Sequence, residues 1–399
     1  MSRRVLALML PVYVPSFLLA FTQGLLIPTL PLYATTFGVS FSLVSLAVAA
    51  RGIGTLAMDL PSGVMLERLG SRKVMLLGVG VACICLALMG LIENFQVLVL
   101  LRLIAGGGAA MWMLSRMAFI SEVIPVEVRG RALSAFGGVS RIGVFASPAI
   151  GGFVGANLGL QTPFLLAAAL TGVALVITLL YVPESHKPVE AAHRRPHWRT
   201  MAQIVGTYRR DLLSAGSAQV LAQMIRAGRD IIVPLYGATV LGLDPTAVGV
   251  IITVSAAIDM SLFGIAGFLQ DRMGRKWASV PSMIILGVGM AMVPLAGGYG
   301  GLLAAAAIMG LGNGLGSGTM MTLGSDLAPR DAMGEFLGMW RLIGDGGNTG
   351  GPLVVGSVAD LTGLGLAAIV LAGVGALAAS NLAWFVPETR NQRERRALS

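Results

Sequence analysis

The stretch GVMLERLGSRK at residues 63–73 recurs, with changes, as GFLQDRMGRKW at residues 267–277. Both copies read glycine, three residues, an acid, arginine, any residue, glycine and then basic residues. Equivalent positions lie 204 residues apart. The same offset aligns Gly106 with Gly310, Gly108 with Gly312, Glu122 with Asp326, Pro148 with Pro352, and Val182, Pro183 and Glu184 with Val386, Pro387 and Glu388. One register kept over so long a stretch indicates an internal duplication.

The composition excludes a water-soluble globular protein. The 399 residues are 55% hydrophobic and 12% charged, with a mean hydropathy of +0.81, whereas soluble domains carry about 25% charged residues. A helix that spans a bilayer takes about 20 apolar residues, so the chain has room for roughly a dozen spans. The 54 glycines suit close packing between such helices. We therefore expect an all-α membrane protein.

Windowed apolarity predicts twelve spans, six in each half of the chain. They cover residues 8–30, 42–66, 74–92, 95–118, 132–155, 162–182, 211–236, 246–269, 278–297, 300–325, 333–359 and 364–386. The polar stretch 183–210 predicts a cytoplasmic linker between an N-terminal six-helix bundle at 1–182 and a C-terminal bundle with a short tail at 211–399. Six spans per half insert both halves the same way up, as parallel repeats about an axis along the membrane normal.

The positions of the basic residues predict the orientation in the membrane. Of the 28 Lys and Arg residues, 21 fall in alternate connections and at the termini, and the remaining connections hold none. This bias predicts a multi-pass protein of a cell membrane, such as a bacterial inner membrane, with both termini in the cytoplasm. It also accounts for the net charge of +9 without a nucleic-acid partner. Cys83 and Cys85 point to different faces of one helix, and the histidines lie in the linker, so we expect neither a disulfide nor a metal site.

The repeated motif resembles the signature of the major facilitator superfamily, which lies in the loop between the second and third spans. The resemblance covers the whole chain and implies two six-helix parallel repeats that work by alternating access. Within the superfamily, the sequence is similar to the twelve-span antiporters that exchange drugs for protons. A different class, an integral membrane enzyme, needs a clustered nucleophile, base or metal site, and no histidine lies in a predicted span to supply one.

The motif residues are candidates for a conformational latch at the cytoplasmic face. In the first copy we expect Gly63 to allow close helix approach, Gly70 to relax the turn, and Glu67 to pair with Arg68. Because the motif is repeated, we expect the same roles in the second copy for Gly267, Gly274, Asp271 and Arg272. The expected partners of the basic clusters are Glu122 for Arg72, and Asp326 for Arg275 or Lys276. The alternative is that these charges only set the topology, because exposed ion pairs are worth under about 1 kcal/mol.

The fifth predicted span contains GVFASPAIGG, from Gly143 to Gly152. It resembles the exporter motif of the superfamily, with Ser147 in place of the glycine before Pro148 and with Gly151 and Gly152 completing the pattern. The proline bends the helix, and the small residues allow tight contact with a neighbour. The resemblance implies antiport directed outward.

Arg102, in the fourth span, stands four residues before Gly106, as in another motif of the superfamily. The resemblance implies a role in proton coupling. A guanidinium inside a bilayer costs at least about 2.5 to 3.5 kcal/mol, so it requires a partner or water. The alternative is that Arg102 braces the bundle by donating to backbone carbonyls.

Apart from Asp211 and Glu335, which stand in the first turns of their spans, eleven charged residues lie within the predicted spans, seven arginines and four aspartates. Arg226 and Asp230, and likewise Arg341 and Asp345, are four residues apart and suited to pairing along one helix. Asp59 and Asp259 have no arginine three or four residues away. Removal from water favours the protonated form of a carboxyl group, so these two are the expected proton carriers, Asp59 slightly ahead. The alternative is that each pairs with an arginine on another helix, such as Arg102 or Arg141.

Further polar and aromatic residues of the spans are candidates for lining a substrate cavity. They are Gln23, Arg51, Trp112, Arg141, Gln223, Arg226, Arg229, Asp230, Trp340, Asp345 and Asn348. With Asp211 and Glu335 at the span ends left out, the arginines outnumber the aspartates by three, which favours an anionic or zwitterionic substrate.

The energy source follows from what the sequence lacks. No Gly-x-x-x-x-Gly-Lys-Ser/Thr loop occurs, so we expect a proton gradient and no cofactor. The leading hypothesis is a monomeric secondary transporter that exports small organic molecules in exchange for protons, with membrane lipids around it. The alternative within transport is a proton symporter or facilitative carrier for an organic anion or a sugar-like metabolite.

Overall fold

The computed structural model describes residues 3–123, 126–183, 206–329 and 332–389, with the side chains of 3–11, 121–135 and 210–211 left undescribed. The described chain consists of helices and short connections. Six long helices make up the first half: α1 Arg3–Thr35, α2 Phe41–Leu69, α3 Ser71–Met89, α4 Phe95–Val123, α5 Val126–Leu158 and α6 Thr162–Tyr181. The predicted spans of this half are confirmed, with most helices extending a few residues beyond them.

The second half repeats this order with two interruptions. Its helices are α7 Arg209–Leu235, α8 Pro245–Ser261, α9 Phe263–Arg272, α10 Arg275–Met292, α11 Tyr299–Leu315, α12 Thr319–Leu327, α13 Met333–Thr362 and α14 Leu364–Trp384. Together α8 and α9 form one span, and so do α11 and α12. The eight helices therefore correspond to six spans.

Ten of these spans are apolar enough to cross a membrane by length and hydropathy alone. The other two long helices are α7 and α13, which carry several ionisable residues in their interiors. Since α7 and α13 are as long as their neighbours, the described chain has twelve spans, as the sequence predicts.

The turns between helices show the duplication directly. Three pairs of glycines separated by 204 residues adopt positive φ angles: Gly38 and Gly242 at 67° and 66°, Gly70 and Gly274 at 79° and 108°, and Gly159 and Gly363 at 92° and 88°. Such φ values favour glycine because it has no Cβ. The two halves thus turn at the same places for the same steric reason.

The described residues divide into two compact units. The first contains the described residues between 1 and 192 together with Asp244–Thr253, which comprises the residue before α8 and the first part of that helix, and the second contains the rest. In the first unit α1 packs on α5 and α6, and α3 packs on α4 and α6. In the second unit α7 packs on α13 and α14, and α10 packs on α11 and α14. These are equivalent helix pairs, so the halves share one packing scheme.

The second half departs from the first where its second and fourth spans are broken. The helix is interrupted at Leu262, between α8 and α9, and at residues 316–318, where Gly318 has a φ of 77°. The equivalent helices of the first half, α2 and α4, run without interruption. A broken helix exposes backbone carbonyls that require other donors.

Candidate functional site

A cluster of polar side chains lies inside the second unit, on α7, α8 and α11. Its centre is Asp259, whose Oδ2 accepts a hydrogen bond from Asn313 Nδ2 at 2.6 Å. Asp259 Oδ1 is buried and has no hydrogen-bond partner among the described residues. An ionised carboxylate has room for about four hydrogen bonds, so one amide donor leaves it poorly compensated. A role of this carboxyl group in carrying protons stays a prediction.

Next to Asp259, α7 contributes a pair of neighbouring charges. Arg229 Nε lies 3.4 Å from Asp230 Oδ1, and the Asp230 carboxylate also interacts electrostatically with Asp259. Arg229 Nη1 is buried without a hydrogen-bond partner among the described residues. Among the described residues, the cluster therefore contains an acceptor without a donor, on Asp259, and a donor without an acceptor, on Arg229.

The predicted pair between Arg226 and Asp230 is not what the structure shows. Arg226 Nη2 instead donates to the carbonyl of Gly316 at 3.2 Å, at the break between α11 and α12. The adjacent carbonyl, of Ser317, accepts from Gln270 Nε2 at 2.9 Å. The break frees these carbonyls, and a cation is favoured at the C-terminal end of a helix. On α13 the predicted pair does form, with Arg341 Nε 3.4 Å from Asp345 Oδ2.

In the first unit, Arg102 is buried between α4 and α2. Its Nε donates to the carbonyl of Ala47 at 3.2 Å and its Nη2 donates to that of Val48 at 3.4 Å. These are the contacts that the brace interpretation requires, and a role in coupling stays a prediction. Asp59, further along α2, is half-buried and engaged in an interaction of its own.

A network of buried ion pairs and hydrogen bonds joins the second copy of the motif to the helices around it. Arg275 Nε lies 2.9 Å from Asp326 Oδ2, with their side chains 9% and 2% exposed. Thr389 Oγ1 donates to the same Asp326 oxygen at 2.8 Å, and Arg275 Nη1 donates to the carbonyl of Gln270 at 2.8 Å. The predicted partner of the basic cluster is thus in place through Arg275. The role of the Arg275–Asp326 pair as a conformational latch stays a prediction.

Sequence reasoning missed Glu388 as a member of this network. Its two carboxylate oxygens accept from the backbone N–H groups of Arg275 and Lys276 at 2.9 and 3.0 Å. These N–H groups open α10, where no helical acceptor exists and where negative charge is favoured. The available signal was the tripeptide Val-Pro-Glu, which closes both halves at the 204-residue offset.

The first copy of the motif differs in what it contacts. Arg72 Nη2 donates to the carbonyl of Leu179 at 2.8 Å, and the side chains of its expected partner Glu122 and of Glu184 lie outside the described residues. Glu67 and Arg68 are exposed, and the structure records no pair between them. Asp271 is exposed and 3.9 Å from Arg275, while Arg272 lies over the ring of Phe268.

The motif glycines have different steric surroundings. A Cβ added at Gly267 has nothing within 4 Å, and one at Gly63 meets only Leu114, at 3.9 Å. The expectation that these two glycines allow close helix approach is therefore not met in this structure. Gly70 and Gly274 do occupy the left-handed region required by the turn.

The exporter-like segment of α5 is packed on two sides. A Cβ at Gly143 or Gly151 would overlap the backbone of α1, at Phe17 and Leu25, and one at Gly152 would overlap Pro245 of α8. Ser147 Oγ donates to the carbonyl of Gly143 at 2.9 Å. Beside Pro148, the N–H of Ala149 donates to Thr253 Oγ1 of α8 at 2.9 Å. The helix thus receives a side-chain acceptor where proline disturbs its own hydrogen-bond ladder.

With this geometry established, the comparison with known families decides the identity. The family model of the Major Facilitator Superfamily matches residues 13–225 and 215–398. The chain belongs to the major facilitator superfamily. It is a multi-pass membrane transporter.

Relatives and solved structures of this superfamily agree with the assignment. The Quinolone resistance protein NorA of Staphylococcus aureus (strain MRSA252) is 24% identical over 355 residues, 88% of this chain and 89% of that protein. Multidrug resistance protein 2 of Bacillus subtilis (strain 168) is 23% identical over 261 residues, 63% of this chain and 64% of that protein, so that match covers less than two thirds of the relative.

Two crystal structures with low sequence identity share the fold. The nucleoside transporter NupG superposes with a TM-score of 0.75 at 17% identity, covering 94% of this chain and 98% of that one. The D-xylose-proton symporter superposes with a TM-score of 0.77 at 16% identity, covering 96% and 98%. At such identity the likeness concerns the fold only.

The remaining residues predicted to line a substrate cavity of this major facilitator protein differ in burial and in their contacts. Trp112 belongs to a buried cluster of the first unit, and Trp340 is buried with its Nε1 donating to the carbonyl of Met320 at 2.9 Å. Gln23 and Asn348 are exposed. Arg141 is half-buried and engaged, and Gln223 Oε1 lies 3.5 Å from Arg226 Nη1. Among the described residues, no group of three or more His, Cys, Asp or Glu side chains is placed to hold a metal ion.

Proposed function

We propose that this transporter exports small organic molecules in exchange for protons, by alternating access and without a bound cofactor. The observation that carries the proposal is Asp259, a carboxyl group within a span, with one buried oxygen that no described residue satisfies. The names of the relatives, a quinolone resistance protein and a multidrug resistance protein, support drug-like substrates. The exporter-like segment around Pro148 supports outward movement.

The proposed proton chemistry follows from the hydrogen bonding of Asp259. As a neutral acid it carries no charge to compensate, and the Asn313 amide satisfies Oδ2. As an anion it requires a donor at Oδ1, either water or a cation, because an isolated charge inside a membrane is costly. Proton release is therefore tied to the entry of water from one side. Asp59 remains a second proposed carrier, in the first unit.

The rest of the proposal concerns orientation and movement. Residues 1–182 and 211–399 act as two bodies joined by the 183–210 linker, and both termini lie in the cytoplasm of a bacterial inner membrane. The charge bias of the connections supports this orientation. The Arg275–Asp326 network then lies at the cytoplasmic face, where its breakage and repair accompany the change of state. The working unit is a monomer surrounded by lipid.

The test uses the purified full-length protein in sealed vesicles with an imposed pH gradient and a panel of amphipathic drugs that includes a quinolone. The gradient should drive a substrate in the direction opposite to proton flow. Asp259→Asn should abolish this gradient-driven movement while leaving downhill substrate exchange. Asp244→Asn is the matched control. Asp244 lies in an exposed connection, and its Oδ1 accepts a hydrogen bond from Ala247 N at 2.7 Å. Asparagine makes the same helix-capping hydrogen bond.

Full gradient-driven transport in both Asp259→Asn and Asp59→Asn would contradict the proton assignment. Substrate movement in the same direction as protons would contradict export.

A further inference from the structure

Two arginines on adjacent helices of the first unit, Arg51 of α2 and Arg102 of α4, lie within electrostatic range of each other. Arg102 donates to the carbonyls of Ala47 and Val48, one turn before Arg51. The Arg51 guanidinium makes no hydrogen bond or ion pair to any described residue. Two like charges thus lie close together in the bundle. Backbone carbonyls orient Arg102, whereas no described residue accepts a hydrogen bond from the half-buried Arg51 side chain.

The depth of the pair makes this arrangement costly. Arg51 lies ten residues after Phe41, the first residue of α2, which at the helical rise is about 15 Å along the helix. This is about half of a hydrocarbon core that is about 30 Å thick. The acidic residue of α2, Asp59, stands two turns further along and is engaged in an interaction of its own. In the described residues, no carboxylate compensates the pair.

The second half of the chain shows that helix packing does not require these charges. A Cβ at Gly106 would overlap the carbonyl oxygen of Arg51, and a Cβ at Gly310 would overlap that of Ser255, 204 residues on in both cases. The equivalent of Arg102 is Ala306, whose carbonyl accepts from Ser255 Oγ at 2.6 Å. The same close helix contact is therefore made with Ser and Ala in place of two arginines.

We propose that Arg51 and Arg102 form an anion-binding subsite, which takes the carboxylate of an amphipathic organic substrate. The planar guanidinium group matches a carboxylate in geometry and donates two parallel hydrogen bonds to it. The carbonyls of Ala47 and Val48 hold Arg102 in place before the ligand arrives, which lowers the entropy cost of binding. The inference rests on the proposed function for the transported class and names its charged group.

The test measures binding of a quinolone carboxylic acid and of its methyl ester to the purified full-length protein by titration calorimetry, without any gradient. The wild type should bind the acid about tenfold or more tightly than the ester, as expected for a charge-assisted pair. In the double variant Arg51→Ser, Arg102→Ala, which copies Ser255 and Ala306, the acid should bind as weakly as the ester, while the affinity for the ester stays unchanged.

Three further variants complete the test. Arg51→Lys keeps the charge and should retain part of the preference for the acid. Arg51→Gln leaves Arg102 on its carbonyls and should still weaken binding of the acid selectively, so the test stands if the double variant does not fold. Arg209→Gln removes a charge exposed at the start of α7 and should retain the full preference.

Equal affinities of the wild type for acid and ester, or a preference that survives in both the double variant and Arg51→Gln, would overturn the subsite. Failure of the proposed function would give a different result. A wild type that binds the acid preferentially but transports no substrate in exchange for protons would contradict proton exchange, and the anion-binding subsite would still hold.

Discussion

At Arg275 a single guanidinium meets two carboxylates of very different burial. Asp326, 2% exposed, is 2.9 Å from its Nε, and Asp271, 84% exposed, is 3.9 Å from its Nη1. Water screens the outer pair, whereas the inner pair is compensated almost entirely by protein. Asp259 represents the opposite case, a half-buried side chain with one buried carboxylate oxygen for which the described residues supply no donor. At the scale of the residue, a charged side chain whose polar atoms all have protein partners is a structural charge. A carboxyl group with one oxygen left without a partner is a candidate for proton transfer.

The two partners of Arg275 allow a matched test of stability. Asp326→Ala should lower the free energy of unfolding by about 3 to 5 kcal/mol, because it leaves a buried guanidinium without its counter-charge. Asp271→Ala should change it by less than about 1 kcal/mol, as for other exposed pairs. Thermal unfolding of the purified protein in detergent measures both. Similar losses of unfolding free energy in the two variants would show that burial does not determine how much each ion pair stabilises the protein.

At the scale of the element, breaks and bends in helices create the polar contacts of this protein. The interruption after α11 frees the carbonyls of Gly316 and Ser317, which Arg226 and Gln270 satisfy. Next to Pro148, which lies inside α5, Ala149 N donates a hydrogen bond to Thr253 Oγ1. In each case a side chain from another helix supplies the partner that an unbroken helix would have supplied itself.

The contact beside Pro148 makes Thr253 a test of this principle. Thr253→Val keeps the shape of the side chain but removes the acceptor, and should cost about 1 to 3 kcal/mol of stability because a buried N–H is left unsatisfied. Thr253→Ser keeps the hydroxyl and should cost clearly less. Thermal unfolding of the two variants in one detergent gives the comparison, and equal melting temperatures would mean that Ala149 finds another acceptor.

At the scale of the whole molecule, the two halves share a scaffold but differ in their charges. Equivalent helix pairs pack together, and equivalent glycines form the turns. Arg51 and Arg102, for which the described residues supply no carboxylate, lie in the first unit, and Asp259, with one buried oxygen that lacks a donor among them, lies in the second. In the proposed transport cycle, the first half recognises the anionic group, and the proton is bound by Asp259 in the second half, with Asp59 of the first half as the second proposed carrier.

The proposed topology has a direct test by cysteine labelling in whole cells, in a background without Cys83 and Cys85. Met273→Cys, in the exposed turn between α9 and α10, should react only after the membrane is made permeable, because the basic residues hold this turn in the cytoplasm. Glu93→Cys, in the exposed turn before α4, should react from outside. The reverse pattern would invert the orientation, and with it the direction assigned to export.

The sequence by itself determined the twelve spans, the duplication and the turns at Gly70 and Gly274, because these depend on local properties: runs of apolar residues of membrane length, a repeated pattern, and backbone angles that favour glycine. It also identified Asp326 as a partner for the basic cluster, through the repeat.

Only the tertiary structure decided which side chains meet. In the structure Asp230 pairs with Arg229, and Arg226 binds a carbonyl at a broken helix. Glu388 binds the start of α10, and no helix packs closely on Gly63 or Gly267 within the described residues. Such pairings depend on distances between helices far apart in the chain and on small rotations of each helix. Periodicity within one helix carries no information about either.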